Sequence, residues 1–426
     1  MYHEDSNEGA ASEARAVVDS VFRRVHVLRV AVLFNEESVQ IRYAFPTDRP
    51  SWYHACRVFR GGAWRQADDD SAAAAPLASG LYEDRISIAI DDGSVPGFST
   101  FGGYLVARPG TRSYPDEVPA SEVEESFIVA RGLGSDVRKY LPISRSDDGG
   151  PVWRAARSED ELLELRRAGA FLGTIQWRAH RSNPVGYADP GYVLEYRRSA
   201  GGRGMYADNW DAEAERPLWM FDPAVAGLRA LDVDRLVARE YGQDDPYYLE
   251  EGTALPLDPA HAWRDGDALP TVYLRSPSGS RASVRASGRY EDGAWQVRLT
   301  RSLAAPDPLD GKPFESGRSY TVQFSVHTRA TAARWHLVSM PMALGFDAPG
   351  TLEAVRIDGD LDAAEARLVD VPVAYPGIVT LEELSEDPVA GAHLARAVER
   401  PLDVAEIDRY LAFVWRHEEA RSGGTR

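Results

Sequence analysis

The feature that most constrains the fold of this chain is a two-residue alternation of apolar and polar side chains in several short segments. In residues 39–45 and again in residues 295–300, every second side chain is apolar and the side chains between them are polar or small. Because successive side chains of a strand point to opposite faces of a sheet, this pattern predicts strands with one buried face. Polar turns at residues 35–38 and 291–293 precede the two segments, so each segment is predicted to close a β-hairpin.

Further strands are predicted in residues 57–64, 85–90, 320–327 and 335–344, which are apolar or alternate in the same way. The 36 glycines and 27 prolines are spread along the chain, which suits many short strands joined by tight turns. The predicted fold class is therefore mainly β: an antiparallel β-sandwich with long ordered loops and a few peripheral helices.

The pattern also predicts how the chain is divided. Residues 1–27 form an N-terminal helical extension, residues 28–350 form the β-sandwich, and residues 351–426 form a partly helical C-terminal extension. Within the sandwich, residues 156–268 are a loop-rich insertion, which begins with a helix after the capping-box sequence of residues 158–161. The many aromatic residues of residues 181–267 are costly to expose to water, so these loops are predicted to fold over the sandwich and shape a pocket.

Charge and cysteine content exclude several classes of function. The formal net charge of −18, from 66 acidic and 48 basic residues, argues against binding to nucleic acid or to anionic membranes. The single cysteine, Cys56, excludes an intrachain disulfide, a thiolate zinc site, an iron–sulfur cluster and a paired-cysteine haem attachment. No signal peptide and no run of 18 apolar residues occurs, so a cytoplasmic protein is expected, with export alongside a partner left open.

Motifs for independent catalysis are missing from the sequence. It contains no phosphate-binding glycine loop, no serine nucleophile elbow and no His-Glu-x-x-His helix. The acidic pairs at residues 91–92 and 244–245 are typical of turns and helix caps. The sequence therefore favours an electron-transfer or binding subunit over an enzyme.

The segment of residues 334–342 carries the best candidate for a metal ligand. Strand alternation places His336 on one face with Val338 and Met340, and this face is expected to turn inward to a pocket. A histidine in such surroundings is either a hydrogen-bonded core residue or an axial ligand of haem iron. His336 and Met340 cannot both bind one iron, because four residues along a strand span about 13 Å whereas trans ligands lie about 4 Å apart.

A second ligand must come from elsewhere, and His180 is the predicted companion of His336. His54 and Met205 are the alternatives. Arginines flank the two predicted ligands and are candidates for pairing with haem propionates, although surface salt bridges also explain them. These arginines are Arg178, Arg181 and Arg334.

Several segments together resemble a known family. They are residues 43–54, 80–98, 177–193, 209–211, 220–223, 288–301 and 335–345. They resemble the ethylbenzene dehydrogenase-related haem-binding proteins, which are similar to the γ subunits of ethylbenzene and dimethyl sulfide dehydrogenases. The resemblance extends over about residues 28–350 and implies a β-sandwich that holds one haem and passes electrons to or from a redox enzyme, often one that contains molybdenum.

The chain departs from this family in two places. The best-known γ subunits bind haem b through methionine and lysine, but residues 335–346 contain no lysine here. Many longer relatives attach haem covalently just after the Asp-Asp-Gly segment, but residues 101–108 contain neither cysteine nor histidine. The resemblance therefore implies non-covalent haem b, and the alternatives are a carbohydrate-binding or other small-ligand-binding sandwich and a scaffold without cofactor that binds a partner subunit.

Overall fold

The structure is a computed structural model. It describes residues 15–67, 81–107, 139–146, 155–329, 331, 335–377 and 379–422. Arg334, a predicted propionate partner, lies outside the described residues.

The described residues form twenty-two β-strands. In chain order they are β1 (His26–Phe34), β2 (Ser38–Pro46), β3 (Cys56–Arg60), β4 (Ala63–Gln66), β5 (Arg85–Asp91), β6 (Leu172–Arg178), β7 (Asp189–Val193), β8 (Arg197–Ser199), β9 (Tyr206–Asp208), β10 (Trp219–Phe221), β11 (Leu231–Asp232), β12 (Leu249–Glu250), β13 (Ala254–Pro256), β14 (Asp267–Pro270), β15 (Val272–Leu274), β16 (Val284–Glu291), β17 (Ala294–Ser302), β18 (Arg318–His327), β19 (Leu337–Ser339), β20 (Met342–Phe346), β21 (Leu352–Arg356) and β22 (Val369–Ala374).

Helices are few and mostly short. The α-helices are α1 (Phe98–Phe101), α2 (Glu159–Arg167), α3 (Pro223–Ala226), α4 (Val233–Val237), α5 (Leu381–Glu386), α6 (Pro388–Glu399) and α7 (Val404–Ser422). Short 3-10 or π turns occupy Val18–Phe22, Gly102–Val106, Pro142–Ser144, Asn183–Val185 and Gly279–Ala282. Helix α2 begins at the predicted capping box, in which Ser158 and Glu161 each bond the backbone of the other residue. No helix within the described residues is long and apolar enough to cross a membrane.

One thirteen-stranded sheet forms most of the molecule, and this confirms the mainly β prediction. Its order is β16-β17-β2-β1-β21-β20-β18-β5-β6-β7-β8, with β19 and β22 attached beside β18 and β1. Both predicted hairpins are present, β1 with β2 and β16 with β17. All pairings in this sheet are antiparallel except those of β21, which runs parallel to both β1 and β20.

The sheet curls so that its two halves face each other across the main apolar core. Tyr43 of β2 contacts Phe324 of β18, with ring centroids 5.9 Å apart, and Trp177 of β6 contacts Trp295 of β17 at 5.0 Å. Gly288 of β16 completes this closure, because a Cβ atom at that position would lie 2.3 Å from the Trp177 ring. The sandwich is thus one sheet folded on itself, and a tryptophan fills the gap between its ends.

Two parts of the sheet differ from the predicted boundaries. Strands β6 to β8 come from the segment predicted as a loop-rich insertion, and β21 and β22 come from the predicted C-terminal extension. The predicted strand of residues 335–344 is divided into β19 and β20, which both pair with β18. Pro341 lies at the division, where its missing N–H interrupts the hydrogen-bond ladder.

A second apolar core lies beside the sandwich. Strands β11, β14, β3 and β4 form a four-stranded sheet, and its core includes Tyr53, Trp64, Tyr241 and Tyr247. Many of the aromatic residues in the predicted irregular segment contribute to this core. The site described below lies where this second core meets β5 and β6.

Candidate functional site

Strands β5, β6 and β18 have one apolar and one polar face. Alternate side chains of these strands, such as Ile86, Trp177 and Phe324, enter the main core, whereas the positions between them are mostly polar. Arg85 lies opposite Arg178 on one side and opposite His327 on the other, so these three residues form a row across the polar face. All three side chains are buried. A row of three buried basic residues without an apolar reason for burial indicates a functional site.

Glu83 lies at the centre of this site, just before β5. Its Oε2 accepts hydrogen bonds from the backbone N–H groups of His180, at 2.7 Å, and Arg181, at 2.9 Å. Its Oε1 accepts from Nε of Arg181 at 2.5 Å. Burial alone would raise the pKa of Glu83, but the neighbouring basic groups, of which Arg181 has the largest effect, together hold the pKa well below its usual range. Glu83 is therefore ionised and fixes the backbone that carries His180.

The two ring nitrogens of His180 lie in different surroundings. Its Nδ1 lies 3.1 Å from the carbonyl oxygen of Trp52, and because a carbonyl can only accept, Nδ1 carries the proton. Its Nε2 is then the basic nitrogen, and this atom is buried without a hydrogen-bond partner among the described residues. Burial lowers the pKa of His180 to about 4, so the imidazole is neutral at pH 7.

His54 lies beside His180, with the two ring centroids 6.2 Å apart and the ring planes inclined by 50°. Nδ1 of His54 is 3.8 Å from Oε1 of Glu83, which is beyond hydrogen-bond distance. Burial, followed by the charge of Arg181, lowers the pKa of His54 well below 6.5. Both imidazoles are therefore neutral, and His54, an alternative in the sequence analysis, is the histidine that the fold brings next to His180.

A second buried ion cluster adjoins the histidines. Asp189 of β7 accepts from Nη1 of Arg178 at 2.7 Å and from Nη2 of Arg281 at 2.7 Å. Tyr206 lies beside the Arg178 and Arg181 guanidiniums, with its ring centroid within 6 Å of each. The predicted propionate partners Arg178 and Arg181 are therefore both in the site.

His336 lies on the polar face but has a different neighbour from the predicted one. Its ring stacks on His327, with centroids 4.7 Å apart and planes inclined by 14°. Val338 is opposite Ser325 on the polar face, whereas Leu337 is opposite Val326 and enters the apolar core. The alternation is as predicted, but the face of β19 that turns to the main core carries Leu337 rather than His336.

The two methionine candidates lie apart from this group. Met205 is fully buried just before β9, and its carbonyl accepts from the backbone N–H of Arg275. Met340 is half-buried and packs against the core formed by the C-terminal helices. Neither sulfur atom has a contact that identifies it as a ligand.

Sequence reasoning did not select Glu83 or Arg85. A signal was present, since Arg85 and Ser87 alternate with Ile86 and Ile88 on β5, and Glu83 precedes them at the same two-residue spacing. An arginine on a strand that is otherwise rich in isoleucine is unusual, because burying a charge needs a compensating partner.

The donor chemistry of the site fits haem iron. Neutral imidazole nitrogen is a common axial ligand, and the hydrogen bond from Nδ1 of His180 to the Trp52 carbonyl is the type of second contact that orients such ligands. The described residues contain no cluster of three or more histidine, cysteine or acidic side chains that could hold a bare metal ion.

Comparison with known proteins agrees with this chemistry. A family model described as ethylbenzene dehydrogenase matches residues 17–339, which is most of the chain. The chain is also similar to a protein named cytochrome c-552 from Stutzerimonas stutzeri, with 29% identity over 98 residues. That similarity involves 22% of this chain and 33% of the cytochrome, so this chain matches only a third of the length of that relative.

Proposed function

We propose, from the premise that this chain belongs to the ethylbenzene dehydrogenase family, that it binds haem b non-covalently and transfers electrons for a redox enzyme. The resemblance to a cytochrome over part of the chain supports a haem-related role. Non-covalent binding follows from composition, because the single cysteine, Cys56, is buried in the second core and cannot form a paired attachment.

The observation that carries the proposal is the free Nε2 atom of His180. A buried polar atom without a partner costs about 1–3 kcal/mol, so such atoms are rare in folded proteins unless a ligand satisfies them. Protonation does not relieve the cost here, because burial holds the pKa of His180 near 4. A bond from Nε2 to iron would use its lone pair and leave the Nδ1 hydrogen bond to Trp52 intact.

We propose His54 as the second axial ligand, with His336 as the alternative. The ring centroids of His54 and His180 lie 6.2 Å apart, so the two imidazoles would be able to hold the iron together. His336 is the ligand that the sequence predicts, and it shares the polar face, but its stacking on His327 gives it another structural role.

In this mechanism the protein binds, orients and shields the cofactor. Haem, when bound, supplies the one-electron redox chemistry of its iron. Glu83 holds the backbone of His180 and Arg181 in place through three hydrogen bonds. Tyr247 and Trp52 pack near the histidines and keep water out of the site. Arg178 and Arg181 supply positive charge for the propionates, a role also predicted for Arg334.

We propose a redox enzyme as the partner of this chain. The more specific proposal, that this enzyme contains molybdenum, rests on the family resemblance. The net charge of −18 favours a basic docking surface on that partner and disfavours nucleic acid.

The proposed function is tested by adding haemin to the purified apoprotein and recording the visible spectrum. Stoichiometric binding with a Soret band is expected. The absence of any Soret band would instead favour the alternatives of a carbohydrate-binding or other small-ligand-binding sandwich, or of a scaffold that binds a partner subunit without cofactor.

A further inference from the structure

Arg85 is a buried guanidinium that is only weakly paired within the described residues. Its side chain is 8% exposed. Its Nε and Nη2 atoms have no hydrogen-bond partner within the part of the chain that the structure describes. The nearest carboxylate oxygen is Oε1 of Glu83, which lies 3.9 Å from Nε and is already bonded to Arg181. The guanidinium stacks on the Tyr82 ring, 4.1 Å from its centroid, and this contact fixes its plane without using its N–H groups.

The charges around Arg85 do not balance. Two adjoining clusters together hold four guanidiniums and two carboxylates: Arg85 and Arg181 lie beside Glu83, and Arg178 and Arg281 lie beside Asp189. Among these side chains the guanidiniums outnumber the carboxylates by two. Burying an unpaired charge costs several kcal/mol. The excess of guanidiniums is therefore unexpected in a chain that is rich in acidic residues and has a net charge of −18.

The geometry points to a carboxylate-binding site that Arg85 forms together with the adjacent Arg178. The ligand of this site carries two carboxylates. Arg178 lies directly opposite Arg85 in the sheet register, and its Nε is also without a hydrogen-bond partner among the described residues. Guanidinium N–H groups pair with carboxylate oxygens in a planar fork. Two carboxylates would offset the excess of two guanidiniums.

The identity of the two carboxylates rests on the proposed function, under which they are the propionates of haem b. A free small dicarboxylate has the same chemistry and is the other source. Arg85 was not among the residues selected from the sequence, and its role here is separate from that of the axial ligands. We therefore expect the protein to bind haem with free propionates more tightly than haem with esterified propionates. This preference can be measured independently of iron coordination.

The test compares the binding of haemin with that of haemin dimethyl ester, in which both propionates are neutral. Wild-type protein should bind haemin about 10–100-fold more tightly than the ester, because a hydrogen-bonded charge pair contributes about 1.5–3 kcal/mol. Arg85→Gln should weaken haemin binding to near the level of the ester and leave ester binding within about threefold of wild type. Arg203→Gln, at an exposed arginine paired with Glu251, is the matched control and should change neither affinity.

The outcomes separate this inference from the proposed function. If haemin and its ester bind wild-type protein equally well, the carboxylate site is refuted while haem binding stands. If Arg85→Gln does not fold, Arg85→Lys, which keeps the charge but loses the fork, should bind haemin with an intermediate affinity. An unchanged haemin affinity in that variant would also refute the site.

If neither porphyrin binds, the proposed function fails and sodium succinate becomes the probe for the carboxylate site. Succinate should then raise the unfolding temperature of wild-type apoprotein more than sodium chloride does at equal ionic strength, and Arg85→Gln should abolish the difference. Equal effects of the two salts on wild-type protein would overturn the inference.

Discussion

Nδ1 of His180 lies 3.1 Å from the carbonyl oxygen of Trp52, and this contact determines which nitrogen of the imidazole is basic. The carbonyl belongs to the segment that leads into the second core, whereas His180 follows the last strand residue of β6. The orientation of the proposed ligand therefore depends on the docking of the second core against the sandwich. Changes that loosen this junction are expected to affect the site before they affect the sheet.

The first prediction concerns Glu83, which we expect to be a large contributor to stability. Glu83→Gln removes the charge that faces Arg181 and leaves that guanidinium buried with a weaker partner. The free energy of unfolding should fall by about 3 kcal/mol, as is typical when one member of a buried ion pair is lost. Urea denaturation followed by tryptophan fluorescence measures the change.

The matched control for this prediction is Glu251→Gln. Glu251 pairs with Arg203 at 3.4 Å, and both side chains are about half exposed. An exposed pair of this kind contributes less than about 1 kcal/mol. Equal losses of stability in the two variants would show that Glu83 is not the anchor of the site.

The second prediction concerns the pH dependence that Asp84 imposes. Burial raises the pKa of Asp84 to about 7, although the Trp295 indole and the Ser51 backbone N–H both donate to its Oδ2. Since this value lies above the unfolded value of 3.8, the folded state keeps a proton that the unfolded state loses. The contribution of Asp84 to stability is therefore greatest below about pH 4 and falls as the pH rises to about 7.

Asp84→Asn removes this titration. As the pH is raised from 4 to 8, the stability of the variant relative to wild type should increase by about 2–4 kcal/mol. Chemical denaturation at a series of pH values gives the difference. A difference that is constant with pH would mean that Asp84 titrates normally in the folded protein.

The third prediction tests the closure of the sheet. Gly288→Ala places a methyl group 2.3 Å from the Trp177 ring, so β6 and β16 must separate. Overpacking of this kind costs about 1–3 kcal/mol, and the near-ultraviolet circular dichroism of the tryptophans should change with it. Gly242→Ala is the control, because the added methyl group meets only the Asp245 carboxylate, at 3.4 Å. A fully stable Gly288→Ala protein would contradict the folded-sheet arrangement.

The fourth prediction distinguishes the two proposed ligand pairs. In the haem-loaded protein, His54→Ala should convert a six-coordinate, low-spin spectrum into a high-spin one, because one axial ligand is lost. His336→Ala should leave the spectrum low-spin, since His336 stacks on His327. The reverse result would restore His336, the ligand predicted from sequence, as the companion of His180.

Local patterns allowed much of the fold to be predicted. Both hairpins follow from two-residue alternation, and the start of helix α2 follows from its capping box, because each depends on residues close in sequence. The assignment of β6 and β7 to the large sheet was not predictable in this way. The pairing of β6 with β5 joins residues about ninety positions apart, and the sequence carries no direct signal of such a partner.

For the same reason, only part of the candidate site could be predicted. His180, Arg178 and Arg181 were selected from their neighbours in sequence, and the structure places all three in one cluster. Glu83 and Arg85 join them only through the register of β5 against β6. His54 lies close to His180 because its segment folds back along residues 81–84. There the backbone N–H of Asp84 donates to the carbonyl oxygen of Ser51. That contact lies 33 residues apart in sequence and has no local signature.

The most direct test of the central claim is a haemin titration of wild-type apoprotein beside His180→Ala and His261→Ala, followed by the Soret band and by the spectrum after reduction. His261, which packs on Trp263 away from the site, controls for the loss of a surface histidine. Wild type and His261→Ala should each bind one haem and show a low-spin spectrum, whereas His180→Ala should lose haem or shift to high spin. An unchanged low-spin spectrum in His180→Ala would contradict the account.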